Sequence, residues 1–319
     1  MRTINKLTIV LSVAVIGLFS SCSKSYLDTP ATDRIAEDQA LTTTDGCWKL
    51  LNGVHRIMYS SHMGRQDMVG QGTNMMDMDI MGDDVTISSV SDWYLYPYLW
   101  LNTQKNPGSA TVYFNYFFYY EIINNANLLI DNVNAAEGSE KDKKAILGQA
   151  YAYRAWAYFQ MVQLYGKRYD ASGSNTSLGL RIVLHPQEEV KPRSSVKVVY
   201  AQINSDLDNA INLLNGYVRT NKSHLDKSVA LGLKARVALT QQDWNTAATV
   251  AAVALAQEQS RRLRIPAALD SARRVAGQLH LRAHPHAGPV VPLEQRHRRQ
   301  RRHGAHARGR DSGGVRTLA

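Results

Sequence analysis

The sequence predicts a mainly α protein, built of stacked helical hairpins with long irregular loops. Three observations predict it. Apolar residues recur at spacings of three and four through most of residues 114–257; alternating strand patterns are sparse; and the later helices carry Ala-rich faces that let partners approach closely. With 319 residues, 44% hydrophobic and 20% charged, the chain has enough apolar material for a real core, which excludes wholesale disorder and a multi-span membrane protein.

The N-terminus reads as an address. Arg2 and Lys6 precede an uncharged apolar run over residues 7–19, then Ser20, Ser21 and Cys22. Thirteen residues at about 1.5 Å each cannot cross a hydrocarbon core of about 30 Å, so residues 1–21 read as a secretory signal rather than a membrane span. Cys22 is either an ordinary cysteine beyond a signal-peptidase site or the acylated first residue of a bacterial lipoprotein. Small residues directly before it favour the lipoprotein, though Phe19 is bulkier than the usual aliphatic residue at that position. Acyl chains, worth about 0.8 kcal/mol per buried methylene, would then tether a soluble domain. Cys47 is the only other cysteine, so with Cys22 lipidated no disulfide supports the exported fold.

Residues 23–45 are polar and read as a tether. A helix follows over 45–58, with Asp45 as its cap and apolar residues at 47, 48, 51, 54, 57 and 58. Residues 62–105 show no sustained period and read as irregular loops. The next helix, 114–133, carries Phe117, Phe118, Ile122, Leu128, Leu129 and Ile130. A long helix over 141–165 places Ile146, Ala150, Tyr153, Ala157, Met161 and Leu164 on one stripe and ends at Gly166. Its aromatics Tyr151, Tyr153, Trp156, Tyr158 and Phe159 read as packing between helices, and Arg154 among them calls for a buried acid or helix carbonyls.

After a polar linker, residues 195–214 form the cleanest amphipathic helix. Residues 226–241 and 243–257 form a tight pair capped by Asp226 and Asp243, with Ala230, Leu233 and Val237 facing Trp244, Ala247, Ala248 and Ala251. An Ala-rich pair with a Trp at its turn resembles a tetratricopeptide unit. Residues 85–91 and 180–184 are the only candidate strands.

Several segments together resemble the SusD/RagB family of surface nutrient-binding lipoproteins. The resemblance starts at Cys22 with Tyr26-Leu27-Asp28 and Pro30, and continues in YFNYFFYYEIINNANLLI over 113–130. It is strongest in AYAYRAWAYFQMVQLYG over 150–166. It recurs from Pro192-Arg193-Ser194-Ser195-Val196 to Leu214, and again over 230–251. It implies a non-catalytic protein, anchored at the outer membrane and facing the cell surface, that takes up a glycan or other nutrient and passes it to a SusC-like TonB-dependent transporter.

No cofactor or enzyme motif stands out. G-x-S-x-G, G-x-x-x-x-G-K-[ST] and H-E-x-x-H are absent, and Gly70-Gln71-Gly72 lacks the third glycine of a dinucleotide loop. Asp77-Met78-Asp79 opens like a calcium loop, but Met81 and Ser88 stand where oxygen ligands belong. Asp83 and Asp84 have the composition of a glycosidase pair, but adjacent side chains usually diverge, which favours a solvated or hydrogen-bonded loop; their spacing is for the structure to give.

The segment suited to binding is residues 91–102. Trp93, Tyr94, Tyr96, Tyr98 and Trp100 offer flat π-faces for the C–H faces of sugar rings, with Asp92, Asn102 and Asp67 as hydroxyl partners. The plainer reading makes these rings core or transporter contacts. The resemblance places ring-stacking aromatics in the corresponding loops.

The net charge of +10 belongs to the C-terminus. Residues 261–319 hold 14 Arg, no Lys, 3 acids and no Phe, Trp, Tyr, Met or Asn, whereas residues 1–260 balance at −1. A basic run over 296–310 has the charge of a nucleic-acid arm, but it has no aromatics for base stacking, and a surface lipoprotein meets no such partner. Residues 258–319 therefore read as a frameshifted, disordered tail, and residues 22–257 as the helical-repeat domain. Without the C-terminal half that family members carry, the faces around Leu233, Val237 and Leu255 are expected to expose apolar surface. Alternatives to glycan capture are peptide capture and a ligand-free envelope scaffold.

Overall fold

A computed structural model describes residues 40–82, 85, 86, 98, 106, 108–186 and 188–259. The signal segment, Cys22, the candidate strand beyond Thr86, Asp83, Asp84 and the basic tail lie outside these residues. The elements below lie in one unit that runs to Glu258, with a second unit from Gln259 onward. Among the described residues the structure is helical, with isolated β-bridges and no strand.

Helix α1 spans Thr44–Ile57. Its cap is Thr43, whose hydroxyl accepts from the Gly46 amide at 3.1 Å; Asp45, the expected cap, sits in the first turn and pairs with Lys49 at 2.7 Å. Both residues can cap, and the parallel bridge between Thr43 and Glu137 decides, because it fixes Thr43 in extended conformation two residues earlier.

Helix α2, Gly70–Ile80, falls where the sequence reads as irregular loop. Its buried positions are Gly70, Thr73, Asn74, Asp77 and Ile80. Their spacing is helical, but four of the five are not hydrophobic, so apolar periodicity could not register it. Gly70 begins α2 at φ +52°, with any Cβ only 2.1 Å from the Met58 carbonyl oxygen, so a side chain cannot enter that turn.

The centre is three long helices: α3 (Ala110–Asn132), α4 (Glu140–Tyr165) and α5 (Val196–Leu213). The sequence placed all three, with α3 beginning four residues earlier than expected. Ser139 and Ser195 cap α4 and α5 through their hydroxyls, and Gly166 ends α4. Helix α4 packs on both α3 and α5, and its middle is buried on nearly every side, from Ala150 to Val162. That explains why its aromatics serve packing: Tyr158 is fully buried, Phe159 and Tyr153 nearly so, and Tyr119 of α3 meets Trp156 edge-on at 5.6 Å.

Helix α6 (Lys227–Thr240) is capped by Asp226, and a seventh helix, α7, runs over 244–259 with Asp243 accepting from the Thr246 amide at 3.0 Å. The facing pattern needs three corrections. Val237 is buried rather than exposed, because it joins the main core, while Trp244, 64% exposed, and Ala248, also exposed, lie outside the packed seam where Ala247 is buried. Leu255, at 65%, is exposed as expected, and Leu233 is half-buried.

Candidate functional site

Residues 178–184 form a strap along α3 and α4. The candidate strand over 180–184 has no ladder of its own. One bridge, Leu178 with Ser195, holds the start, and side chains hold the rest. The Tyr158 hydroxyl donates to the Val183 carbonyl at 2.8 Å and accepts from the Val183 amide at 2.7 Å. Asn127 donates to the same carbonyl at 3.0 Å, and the Tyr120 hydroxyl donates to the Arg181 carbonyl at 2.6 Å. Beneath them Arg154 reaches Asn127 Oδ1 at 2.9 Å and the Leu184 carbonyl at 3.3 Å. Burial pushes the Tyr120 and Tyr158 hydroxyls well above the ordinary phenol value, so both remain neutral donors.

Between this strap and the N-terminal half of α3 lies a groove of about 400 Å³, lined by Tyr113, Tyr116, Phe117, Tyr120, Arg181 and Glu188 above the buried Ile123. Helix α3 is aromatic on two faces. Phe114, Phe118 and Tyr119 point into the core, while Tyr113, Tyr116 and Phe117 are 51%, 42% and 41% exposed. Phe117, which the sequence assigns to the core stripe, is thus a groove residue. The two faces could have been separated by register, since 113, 116, 117 and 120 follow one helical row, but aromatic composition alone marks both as core.

The rings are braced. Tyr113 and Phe117 lie nearly parallel at 6.0 Å and 14°, and Tyr116 rests on Tyr120 at 4.5 Å and on the edge of Tyr165 at 5.7 Å. The Tyr165 hydroxyl is itself tied to the Val112 carbonyl at 2.8 Å. On the strap, Arg181 Nη2 donates to the Glu188 and Glu189 carbonyls, each at 2.8 Å. The Glu188 carboxylate accepts from the Leu184 amide at 2.9 Å and pairs with Lys191. The arrangement offers fixed flat faces beside polar groups, the makings of a small-molecule surface.

Of the residues singled out in the sequence, Trp93, Tyr94, Tyr96, Trp100, Asp92 and Asn102 lie outside the described set. Tyr98 is a half-buried helical position. Asp67 is engaged by Arg65, Nε to Oδ1 at 2.9 Å and Nη2 to Oδ2 at 2.6 Å, and these hydrogen bonds hold its carboxyl below the usual range. Cys47 is buried and free. No group of three or more His, Cys, Asp or Glu among the described residues is placed to hold a metal ion. No described helix is long and apolar enough to cross a membrane.

The structure is thus a stack of α-hairpins carrying a braced aromatic groove. The particular family follows from comparison. Residues 36–239 match the SusD-like family described as starch-binding and associating with the outer membrane, and the chain belongs to that family. It is 28% identical over 160 residues to the SusD-like protein P38 of Formosa agariphila, an alignment covering 50% of this chain and 29% of that one. It also resembles the crystal structure of a SusD-like carbohydrate binding protein from Bacteroides vulgatus: 30% identity, TM-score 0.61, 67% of this chain and 45% of that one. A SusD superfamily protein from Bacteroides fragilis shares the fold at 24% identity and TM-score 0.57, covering 67% of this chain and 49% of that one. The chain spans less than half the length of these relatives.

Proposed function

We propose that the protein captures glycans at the outer membrane, catalyses no reaction, and passes them to a SusC-like TonB-dependent transporter. The observation that carries this reading is membership of a starch-binding, outer-membrane-associated family together with a groove whose exposed rings are held rigid. Acylated Cys22 would be the anchor, and Trp93, Tyr94, Tyr96, Tyr98 and Trp100 would stack on sugar rings, with Asp92, Asn102 and Asp67 toward hydroxyls. Stacking suits capture and release, because hydrophobic and dispersion contacts bind without committing to covalent chemistry.

Isothermal titration of the full chain in detergent against neutral and anionic glycans tests the reading. Saturable binding to at least one glycan without its hydrolysis is the expected result; no binding to any of them, or turnover of a bound glycan, overturns it. Labelled palmitate incorporated by the chain, and lost in Cys22→Ser, tests the anchor separately.

A further inference from the structure

We infer that the groove between α3 and the 178–184 strap is itself a saccharide site, one that takes a neutral oligosaccharide along the row Tyr113, Phe117, Tyr116. This rests on the glycan-capture reading and assigns saccharide contact to residues other than those of 91–102.

Three observations carry it. First, three large rings stand 41–51% exposed on a helix that buries Phe114, Phe118 and Tyr119 almost completely, so the protein had core positions available and left these rings in water. Second, the rings are held before any ligand arrives. Tyr113 and Phe117 are within 14° of parallel, and Tyr116 is clamped by Tyr120 and Tyr165, whose hydroxyls are both tied to backbone carbonyls. Such preorganisation lowers the ordering cost of binding.

Third, the polar wall suits hydroxyls more than a charge. Arg181 and Glu188 face the same groove with opposite signs, and both are already partly committed, Arg181 to two carbonyls and Glu188 to an amide and Lys191. Glu188 is paired with Lys191, and Arg181 keeps a buried Nε without a partner that can donate to a hydroxyl oxygen, while Asn124 in the groove lining stands exposed with amide donor and acceptor for vicinal hydroxyls. A pure hydrocarbon chain would leave that polar wall desolvated and unpaired. The groove's volume, about 400 Å³, falls at the small end of ordinary ligand sites, which fits a few sugar units.

The test is titration of the full chain in detergent with maltoheptaose, a linear β-glucan hexaose and a polygalacturonate oligomer, for wild type and for Tyr113→Ala/Phe117→Ala. Both substituted side chains are exposed, and an unchanged melting temperature excludes misfolding. The expected result is a loss of about tenfold or more in affinity for the neutral glycan that the wild type prefers, with Phe117→Trp, which keeps a flat face, retaining binding. Wild-type affinity in the double variant overturns this site and leaves glycan capture standing. Preference for the polygalacturonate oligomer overturns the neutral class. Failure of the wild type to bind any of the three overturns both.

Discussion

Gly148 of α4 lies directly beneath Leu214 at the end of α5. A Cβ at position 148 would stand 2.7 Å from Leu214 Cγ, 3.0 Å from its Cδ2 and 3.1 Å from Leu213 Cβ. Leu214 is fully buried, so it cannot swing into solvent to make room. The crossing of the two helices is therefore set by a missing side chain. Gly148→Ala should destabilise by about 1–3 kcal/mol despite alanine's better helix propensity, and Leu214→Ala in the same chain should recover part of that loss. Urea midpoints of the three variants check it; a stabilised Gly148→Ala would contradict the geometry.

Arg154 and Asp206 join the same two helices by a paired hydrogen bond, Nε to Oδ2 at 2.8 Å and Nη2 to Oδ1 at 2.7 Å. Both are buried, and Gln202 donates to Asp206 at 2.9 Å. Burial opposes the Arg154 charge, but the hydrogen bonds and charge of Asp206 outweigh it and hold the guanidinium above its ordinary value. Arg154→Ala or Asp206→Ala should each cost about 3–5 kcal/mol, because the partner is left as a lone buried charge. Arg154→Met/Asp206→Leu should cost less than the sum of the singles, read as a double-mutant cycle by chemical denaturation.

His55 should make the fold acid-sensitive. Burial, then the charge of nearby His224, lowers its pKa from 6.5 to about 4; its Nε2 is buried without a partner, and its ring faces Tyr153 at 5.6 Å and His224 at 5.9 Å. Below pH 6.5 the unfolded chain takes up a proton that the folded chain refuses. Stability from this group is thus present above pH 6.5 and lost as pH falls toward about 4. His55→Phe should show a smaller drop in urea midpoint between pH 7 and pH 4.5 than the wild type; an equal drop would assign the acid limb elsewhere.

Asp77 works in the opposite sense. Burial, then the charge of Asp67, raises its pKa from 3.8 to about 7, and Asn74 one turn before it on α2 is fully buried as well. The folded state holds the proton through pH 4–7 while the unfolded state releases it, so this contribution is present below 3.8 and lost as pH rises through about 7. Asp77→Asn, which removes that titration, should raise stability at pH 8 by up to about 4 kcal/mol and leave it little changed at pH 4. Denaturation at the two pH values distinguishes this from a uniform effect of the substitution.

Cys47 is fully buried on the inner face of α1, and burial raises its thiol pKa. In a Cys22→Ser chain it is the sole thiol, and its labelling by iodoacetamide should be slow in buffer and rise by orders of magnitude across the urea transition. Fast labelling in buffer would mean that the α1 end of the core opens locally.

Much of this architecture was legible because its signals were redundant. In α4 an apolar stripe and a Gly stop agree, in α5 the apolar spacing is unbroken, and Arg154 inside an aromatic helix announced a buried partner. Where one signal stood alone or contradicted another, the reading failed. Helix α2 buries polar residues, so its period carries no hydrophobic mark. Val237 joins the core because α6 turns that face toward it. In α3 the row 113, 116, 117 and 120 matches the core row in ring content and differs only in register.

Sequence by itself determined the helical repeat, the order of its long helices, the Asp226 and Asp243 caps and the family, since each depends on local spacing and side-chain type within one or two turns. Tertiary structure alone decided which aromatic face of α3 meets water, which acid answers Arg154, and how the strap closes a groove over Ile123. Those outcomes turn on contacts between residues 25 to 61 positions apart, such as Tyr158 with Val183 and Tyr120 with Arg181, and no local period encodes them.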